Sequence, residues 1–170
     1  EVDAAPASSE NHYPKVARRL AEEKNRTEPN NAIWANQFDN VANRRAHVQS
    51  TGPEIWEQTA GRLDAFVAAS GTGGTVAGVS EYLKSRRASV RTVLADPPGS
   101  ALYEYVRNGV VKVTGSGSIT EGIGIGRVTA NMQGAPIDDA VHIGDQESVS
   151  WVYRLLREEG LFLSSTSGVN

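Results

Sequence analysis

Apolar residues along the chain follow two rhythms. Short apolar runs of three to five residues alternate with stretches in which apolar positions recur every three or four residues. The clearest unit starts at Phe66-Val67-Ala68-Ala69, long enough for a buried strand. It breaks at Gly71-Thr72-Gly73-Gly74-Thr75, and Val76, Val79 and Leu83 then follow at helical spacing. The next run, Arg91 to Ala95, is closed by Asp96-Pro97-Pro98-Gly99. Ser100 is placed to cap a helix running to about Asn108, which Gly109 would end.

The remaining pattern is read in the same way. Tyr13 to Lys24 predicts a charged helix with Val16, Ala17 and Leu20 as a thin stripe. Ala42 to Gln49 is polar and helical in pattern. A second short helix opens near Pro53, carries Ile55, Trp56 and Thr59, and stops at Gly61. Asp145 is expected to cap a helix with Val149, Val152, Leu155 and Leu156 turned inward and Gly160 as its stop. Short strands are expected at Ala32 to Ala35, Val110 to Val113, Val141 to Ile143 and Leu161 to Leu163. Strands alternating with helices across short loops predict an α/β fold of three α/β/α layers around a largely parallel sheet. Thr166-Ser167-Gly168 reads as one more strand-to-helix turn whose helix does not follow. Met132 is the only methionine, and the chain begins at Glu1. It is therefore expected to be an internal part of a longer protein, incomplete at both ends.

Candidate chemistry centres on the glycine turn. A strand, a tight turn and a helix N-terminus leave unpaired N–H groups and partial positive charge at one point. Glycines let a phosphate approach the backbone, and Thr72 and Thr75 add hydroxyl donors. The turn is not a P-loop, because no Lys follows it before Lys84. It is not the dinucleotide fingerprint either, because Val76 stands where the third glycine belongs. Asp96, about 20 residues further on at a strand end, keeps a nicotinamide-binding oxidoreductase open as an alternative. A plain strand-to-helix turn is the other. Asn36-Gln37-Phe38-Asp39-Asn40 is a polar cluster expected at a strand end, where ligands sit in such sheets, although Asn and Asp are also ordinary turn formers.

Composition removes several classes. The net charge is −3 and no basic run exceeds two residues, which argues against nucleic acid as a partner. There is no cysteine, so disulfides, a thiol nucleophile and thiolate-bound metal are excluded, and a reducing compartment fits. His12, His47 and His142 lack metal spacing. No apolar run approaches the 18 residues of a membrane span, so no membrane association is expected.

Five stretches together resemble one family. Asn36-Gln37-Phe38-Asp39-Asn40, Thr51-Gly52-Pro53-Glu54-Ile55-Trp56-Glu57-Gln58-Thr59, Gly71-Thr72-Gly73-Gly74-Thr75, Glu121-Gly122-Ile123-Gly124 and Thr166-Ser167-Gly168 occur in this order in cysteine synthases. These are O-acetylserine sulfhydrylases, relatives of cystathionine β-synthase, with a tryptophan-synthase-β-like fold and pyridoxal 5′-phosphate (PLP) as cofactor. The likeness covers residues 33 to 170 well and the first 30 loosely. It implies that Gly71, Thr72, Gly73, Gly74 and Thr75 hold the cofactor phosphate and that the Thr166 hydroxyl meets the pyridine nitrogen. It implies that Gln37 lies near the substrate carboxylate and that Gly122, within Glu121 to Gly124, lines the active-site entrance.

The resemblance further implies an amino-acid substrate and sulfide, a homodimer, and an intracellular site, cytoplasmic or mitochondrial. Residues 1–35 would be the remnant of a smaller N-terminal substrate domain and 36–170 a truncated larger PLP-binding domain. One departure is an absence. Lys15, Lys24, Lys84 and Lys112 all lack the Ser-x-Lys-Asp/Glu-Arg context of the family's Schiff-base lysine, and the Thr-Ser-Gly-Asn-Thr loop is missing. No catalytic residue is therefore expected within this chain, and the chain alone is expected to be inactive. A cystathionine β-synthase-like enzyme and a non-catalytic PLP-binding homologue are the neighbouring alternatives.

Overall fold

The computed structural model describes residues 1–6 and 8–170. Three parallel strands lie in the order β1-β2-β3: β1 is Ala65–Ala68, β2 Arg91–Asp96 and β3 Asp139–His142. Ala65 pairs with Arg91 and Ala68 with Leu94; Val93 pairs with Asp139 and Asp96 with His142. Parallel neighbours need crossovers, and helices supply them. α4 (Gly74–Arg86) joins β1 to β2, and α5 (Leu102–Asn108) lies between β2 and β3. The parallel α/β architecture expected from the pattern is present.

α4 is the centre of the molecule. Val76, Ala77, Val79 and Leu83 are all at most 1% exposed. Val76 and Ala77 join Leu94, Leu102, Met132 and Ala140 in one core cluster, while Val79 and Leu83 join Val90 in a second. Full burial of a side chain such as Leu83 is worth roughly 1.5–3 kcal/mol over leaving it in water. On its outer side α4 meets α2 (Ala42–Gln49) and α3 (Thr51–Gln58). Gly78 makes that approach possible: a Cβ there would collide with the Arg44 carbonyl oxygen and the His47 Cβ. Gly61, at φ 67°, turns the chain after α3 and donates its N–H to the Trp56 carbonyl at 2.8 Å.

The other sheet face carries Val67, Ala95 and Val141. These residues border a groove shared with Trp151 and Leu155, at the C-terminal end of α6 (Asp145–Arg154), and with Val169 of the short α7 (Ser165–Val169). Layers thus stand on both faces, but the second is thin, since Val67 and Val141 remain 45% and 41% exposed. α1 (Tyr13–Thr27) begins with a proline in its first turn and has no buried residue.

Three expected strands do not form. Ala32 to Ala35, Val110 to Val113 and Leu161 to Leu163 have no pairing partner among the described residues. An apolar triplet without a neighbouring ladder gains nothing from extension. Ile33, Val111 and Phe162 accordingly stand 92%, 56% and 85% exposed. Asp145 does not cap α6, whose N-cap is Gly144; its carboxylate accepts from Ser118 Oγ at 2.5 Å and Ile119 N–H at 3.1 Å. Ser100 is likewise not the N-cap of α5, which is Ala101, although its hydroxyl accepts the Leu102 N–H at 3.2 Å.

Candidate active site

The glycine turn lies between the C-terminal end of β1 and the first turn of α4. Gly73, the N-cap, has φ 86°, a left-handed conformation that suits glycine. Two loops and the first turn of α2 converge on it. A Cβ on Gly71 would strike the Gly122 carbonyl oxygen, one on Gly73 the Met132 side chain, and one on Gly74 the Asn43 amide. These approaches leave no room for a side chain on Gly71, Gly73 or Gly74.

Side chains hold the turn from outside. Asn43 Nδ2 donates to Thr72 Oγ1 at 3.0 Å and to the Gln37 carbonyl at 2.8 Å. The Thr129 hydroxyl donates to the Thr72 carbonyl at 2.7 Å. Thr75 is exposed, and its hydroxyl lies 3.1 Å from His47 Nε2. Ser70, 1% exposed, precedes the turn; its hydroxyl has no partner among the described residues. The N–H groups opening α4 lack intrahelical acceptors by geometry.

A cleft of about 690 Å³ opens beside the turn. Gly71, Gly122, Arg127, Lys15, Trp34 and Asp39 are among the residues that line it. Arg127 and Asp39 form a two-pronged ion pair in that lining, at 3.0 and 2.9 Å, and Asp39 also accepts the Ala130 N–H at 3.0 Å. The Arg127 hydrogen bond, with the backbone bond from Ala130, holds the Asp39 carboxyl below its ordinary range. The cleft therefore carries no uncompensated carboxylate from Asp39. Lys15 is engaged with Glu10 at 2.9 Å.

The structure brings some of the expected site residues together and keeps others apart. Gly71 and Gly122 share the cleft. Gln37 is exposed and lines a smaller neighbouring hollow of about 260 Å³. Its carbonyl is pinned by Asn43 and by the buried Asn131, whose Nδ2 lies 3.1 Å away. Thr166 does not line the cleft. It sits on α7, with its hydroxyl 2.7 Å from Ser164 Oγ. The same helix is tied to the end of β1, because Asn170 Oδ1 accepts the Ala69 N–H at 2.7 Å. Asp96 is fully buried; it accepts the Tyr103 N–H at 2.8 Å, and burial raises its carboxyl above the ordinary value. An acid buried at the start of α5 cannot reach a ribose, so the dinucleotide alternative loses its one support.

Sequence reasoning passed over Asn43, His47, Asn131 and Arg127. Asn43 and His47 stand four apart on one helix, a spacing that puts two polar side chains on the same face. That signal was readable. The separation of 94 positions between Gln37 and Asn131 left none.

The family model described as pyridoxal-phosphate dependent enzyme matches residues 1–170. The chain belongs to this family. Among its relatives is cysteine synthase 1 of Emericella nidulans, 49% identical over 173 residues, covering 99% of this chain and 45% of that protein. Cysteine synthase A of Escherichia coli is 36% identical, covering 91% of this chain and 48% of that protein. The crystal structure of an O-acetylserine dependent cystathionine beta-synthase from Helicobacter pylori superposes with a TM-score of 0.75 at 32% identity, over 91% of this chain and 46% of that one. The chain spans about half the length of the curated relatives it matches. Among the described residues, no helix is long and apolar enough to cross a membrane.

Proposed function

We propose that the protein bearing this chain is a cysteine synthase, and that residues 71–75 hold the phosphate of its PLP. The observation that carries the reading is the glycine turn itself. Its first glycine, Gly71, lines the cleft and the turn opens α4 beside it, with no room for a Cβ on Gly71, Gly73 or Gly74 and a hydroxyl exposed on Thr75. A phosphate dianion suits such a place, since helix-end N–H groups and hydroxyls are all donors. When bound, the cofactor supplies the electron sink for removing the α-proton and β-substituent of O-acetylserine, so that sulfide can add.

The chain's own residues then bind and orient. Thr72 and Thr75 complete the phosphate cradle. Thr166 lies outside the cleft lining with its hydroxyl on Ser164, so it would have to turn that neutral hydroxyl to the pyridine nitrogen, where it leaves the ring less electron-withdrawing than an Asp partner would. Gln37 offers its amide to the substrate carboxylate, and Gly122 leaves open backbone at the cleft wall. No catalytic residue is assigned within residues 1–170. The same reading divides the chain at residue 35, which fits an α1 without buried residues. It also carries a homodimer and a cytoplasmic or mitochondrial site.

The test is Gly73→Asp in the intact protein. A carboxylate would face the phosphate, and the new side chain would meet Met132 at a left-handed φ. The expected outcome is loss of PLP with the fold retained by circular dichroism. Normal PLP stoichiometry after dialysis would overturn the assignment. A second reading, an O-acetylserine-dependent cystathionine β-synthase, draws on the Helicobacter pylori neighbour. Turnover with homocysteine in place of sulfide separates the two.

A further inference from the structure

We infer that His47 is a positioning residue for the phosphate, acting through the Thr75 hydroxyl; this rests on the reading of residues 71–75 as the phosphate cradle. Both ring nitrogens of His47 are engaged. Nε2 lies 3.1 Å from Thr75 Oγ1, and Nδ1 lies 2.9 Å from Thr51 Oγ1. The three side chains come from three helices, α2, α3 and α4, and the line of contacts ends at the one exposed residue of the cradle.

A hydroxyl has one proton to give. If His47 Nε2 accepted it, Thr75 would present only lone pairs to an incoming dianion, which repels them. If Nε2 carries the hydrogen, it donates to Thr75 Oγ1, and the Thr75 proton is left to point into the cradle. Neutral imidazole must then accept at Nδ1, and the Thr51 hydroxyl is placed to donate there. The partner on one ring nitrogen thus sets the tautomer on the other. The chain of donors runs Thr51 to His47 to Thr75 to phosphate, each oriented by the one before.

The backbone is shaped for this contact. His47 reaches Thr75 because α2 lies close against α4, and that closeness depends on Gly78, where a Cβ would meet His47 itself. Asn43, one turn earlier on α2, meets Thr72 in the same cradle. One helix face therefore serves both threonines of the turn.

The test is a binding titration of the apo form of the intact protein with PLP and, separately, with pyridoxal, which has no phosphate. His47→Leu should weaken PLP about 3- to 10-fold, the range expected for one misdirected hydrogen bond. It should leave pyridoxal unchanged. His47→Gln, which keeps a donor at the Nε2 position, should restore most of the loss. In a Thr75→Ala background, His47→Leu should have no further effect on PLP. Unchanged PLP affinity in His47→Leu overturns the inference. So does an equal loss of PLP and pyridoxal, which marks a general structural role, or a full effect that persists without Thr75. Gly73→Asp measured alongside tells which level fails. If it loses PLP while His47→Leu does not, the cradle stands and His47 falls; if it keeps PLP, the cradle reading falls and His47 with it.

Discussion

Residues 66–83 and residues 161–169 are built on one plan: an apolar run, a Ser/Thr/Gly turn, then a helix. In the first, Phe66 to Ala68 pair with β2, the turn is closed in by Asn43 of α2 and by the loops at Gly122 and Met132, and seven of the thirteen residues of α4 are buried. In the second, Leu161 to Leu163 pair with nothing described, Phe162 is 85% exposed, and α7 is five residues long. The turn residues are alike, so the difference lies in what surrounds them. A strand is stabilised by its ladder and by the side chains facing it, and neither is written in the three residues that form it. Only the first unit has β2 on one side and α2 and α3 behind.

The widest gap between the two units should appear in truncation. Leu94→Ala removes a fully buried side chain from the cluster shared with α4, and should cost about 2–5 kcal/mol. Phe162→Ala, on a larger side chain, should change stability by no more than about 0.5 kcal/mol. Urea unfolding of the two variants of the intact protein decides it. Comparable losses would mean that residues 161–163 are covered in solution, and that the two units are equals.

A smaller contrast concerns glycine. Gly78→Ala gains about 1 kcal/mol of helix propensity but drives a methyl into the Arg44 carbonyl and His47. Overpacking of this kind typically costs about 1–3 kcal/mol, and the clash is with backbone that cannot swing aside. A net loss of stability is expected, together with weaker PLP binding as α2 shifts away from Thr75. Gly144, which opens α6, has open space around it, so Gly144→Ala should cost about 1 kcal/mol or less, the scale of a lost N-cap preference. Melting temperatures and PLP titrations of both variants check the pair.

The sequence carried the first unit well because its signals are local. Val76, Val79 and Leu83 fix the buried side of α4, Gly73 marks the left-handed position, and Gly109 ends α5 at φ 70° as its place suggests. The glycine turn was legible for the same reason, since it is five consecutive residues. What the sequence could not carry is whether an apolar triplet finds a partner. Val110 to Val113 and Leu161 to Leu163 read no differently from Ala65 to Ala68. Nor could it carry the side chains that hold the site from a distance. Asp39 meets Arg127 across 88 residues, and Asn131 reaches back to Gln37 across 94. Such pairs exist only after the sheet has brought the loops together.

The smallest expected effect separates two ion pairs of similar appearance. Arg127 and Asp39 link the segment at Arg127–Ala130 to the turn at Asn36–Asn40, whereas Arg154 and Glu158 lie one turn apart at 2.9 Å near the end of α6. All four side chains are more than a third exposed, so neither pair is worth more than about 1 kcal/mol in water. Asp39 differs in being held below its ordinary carboxyl range, first by the Arg127 hydrogen bond and then by the Ala130 N–H. A carboxyl depressed in the folded state adds stability above its unfolded value, near pH 4, and loses it as pH falls through the lower folded value. Asp39→Asn should therefore destabilise slightly at pH 7, and the gap from the parent should close as acidification protonates Asp39. Moderate salt should narrow it at pH 7 as well. Glu158→Gln should cost no more than the few tenths of a kcal/mol of a helix-surface pair. Urea midpoints at pH 7 and pH 3 provide the measurement. An Asp39→Asn deficit that is the same at both values would mean that the carboxylate acts through the shape of its contacts with Arg127 and Ala130. Its charge would then play no part in joining these two segments.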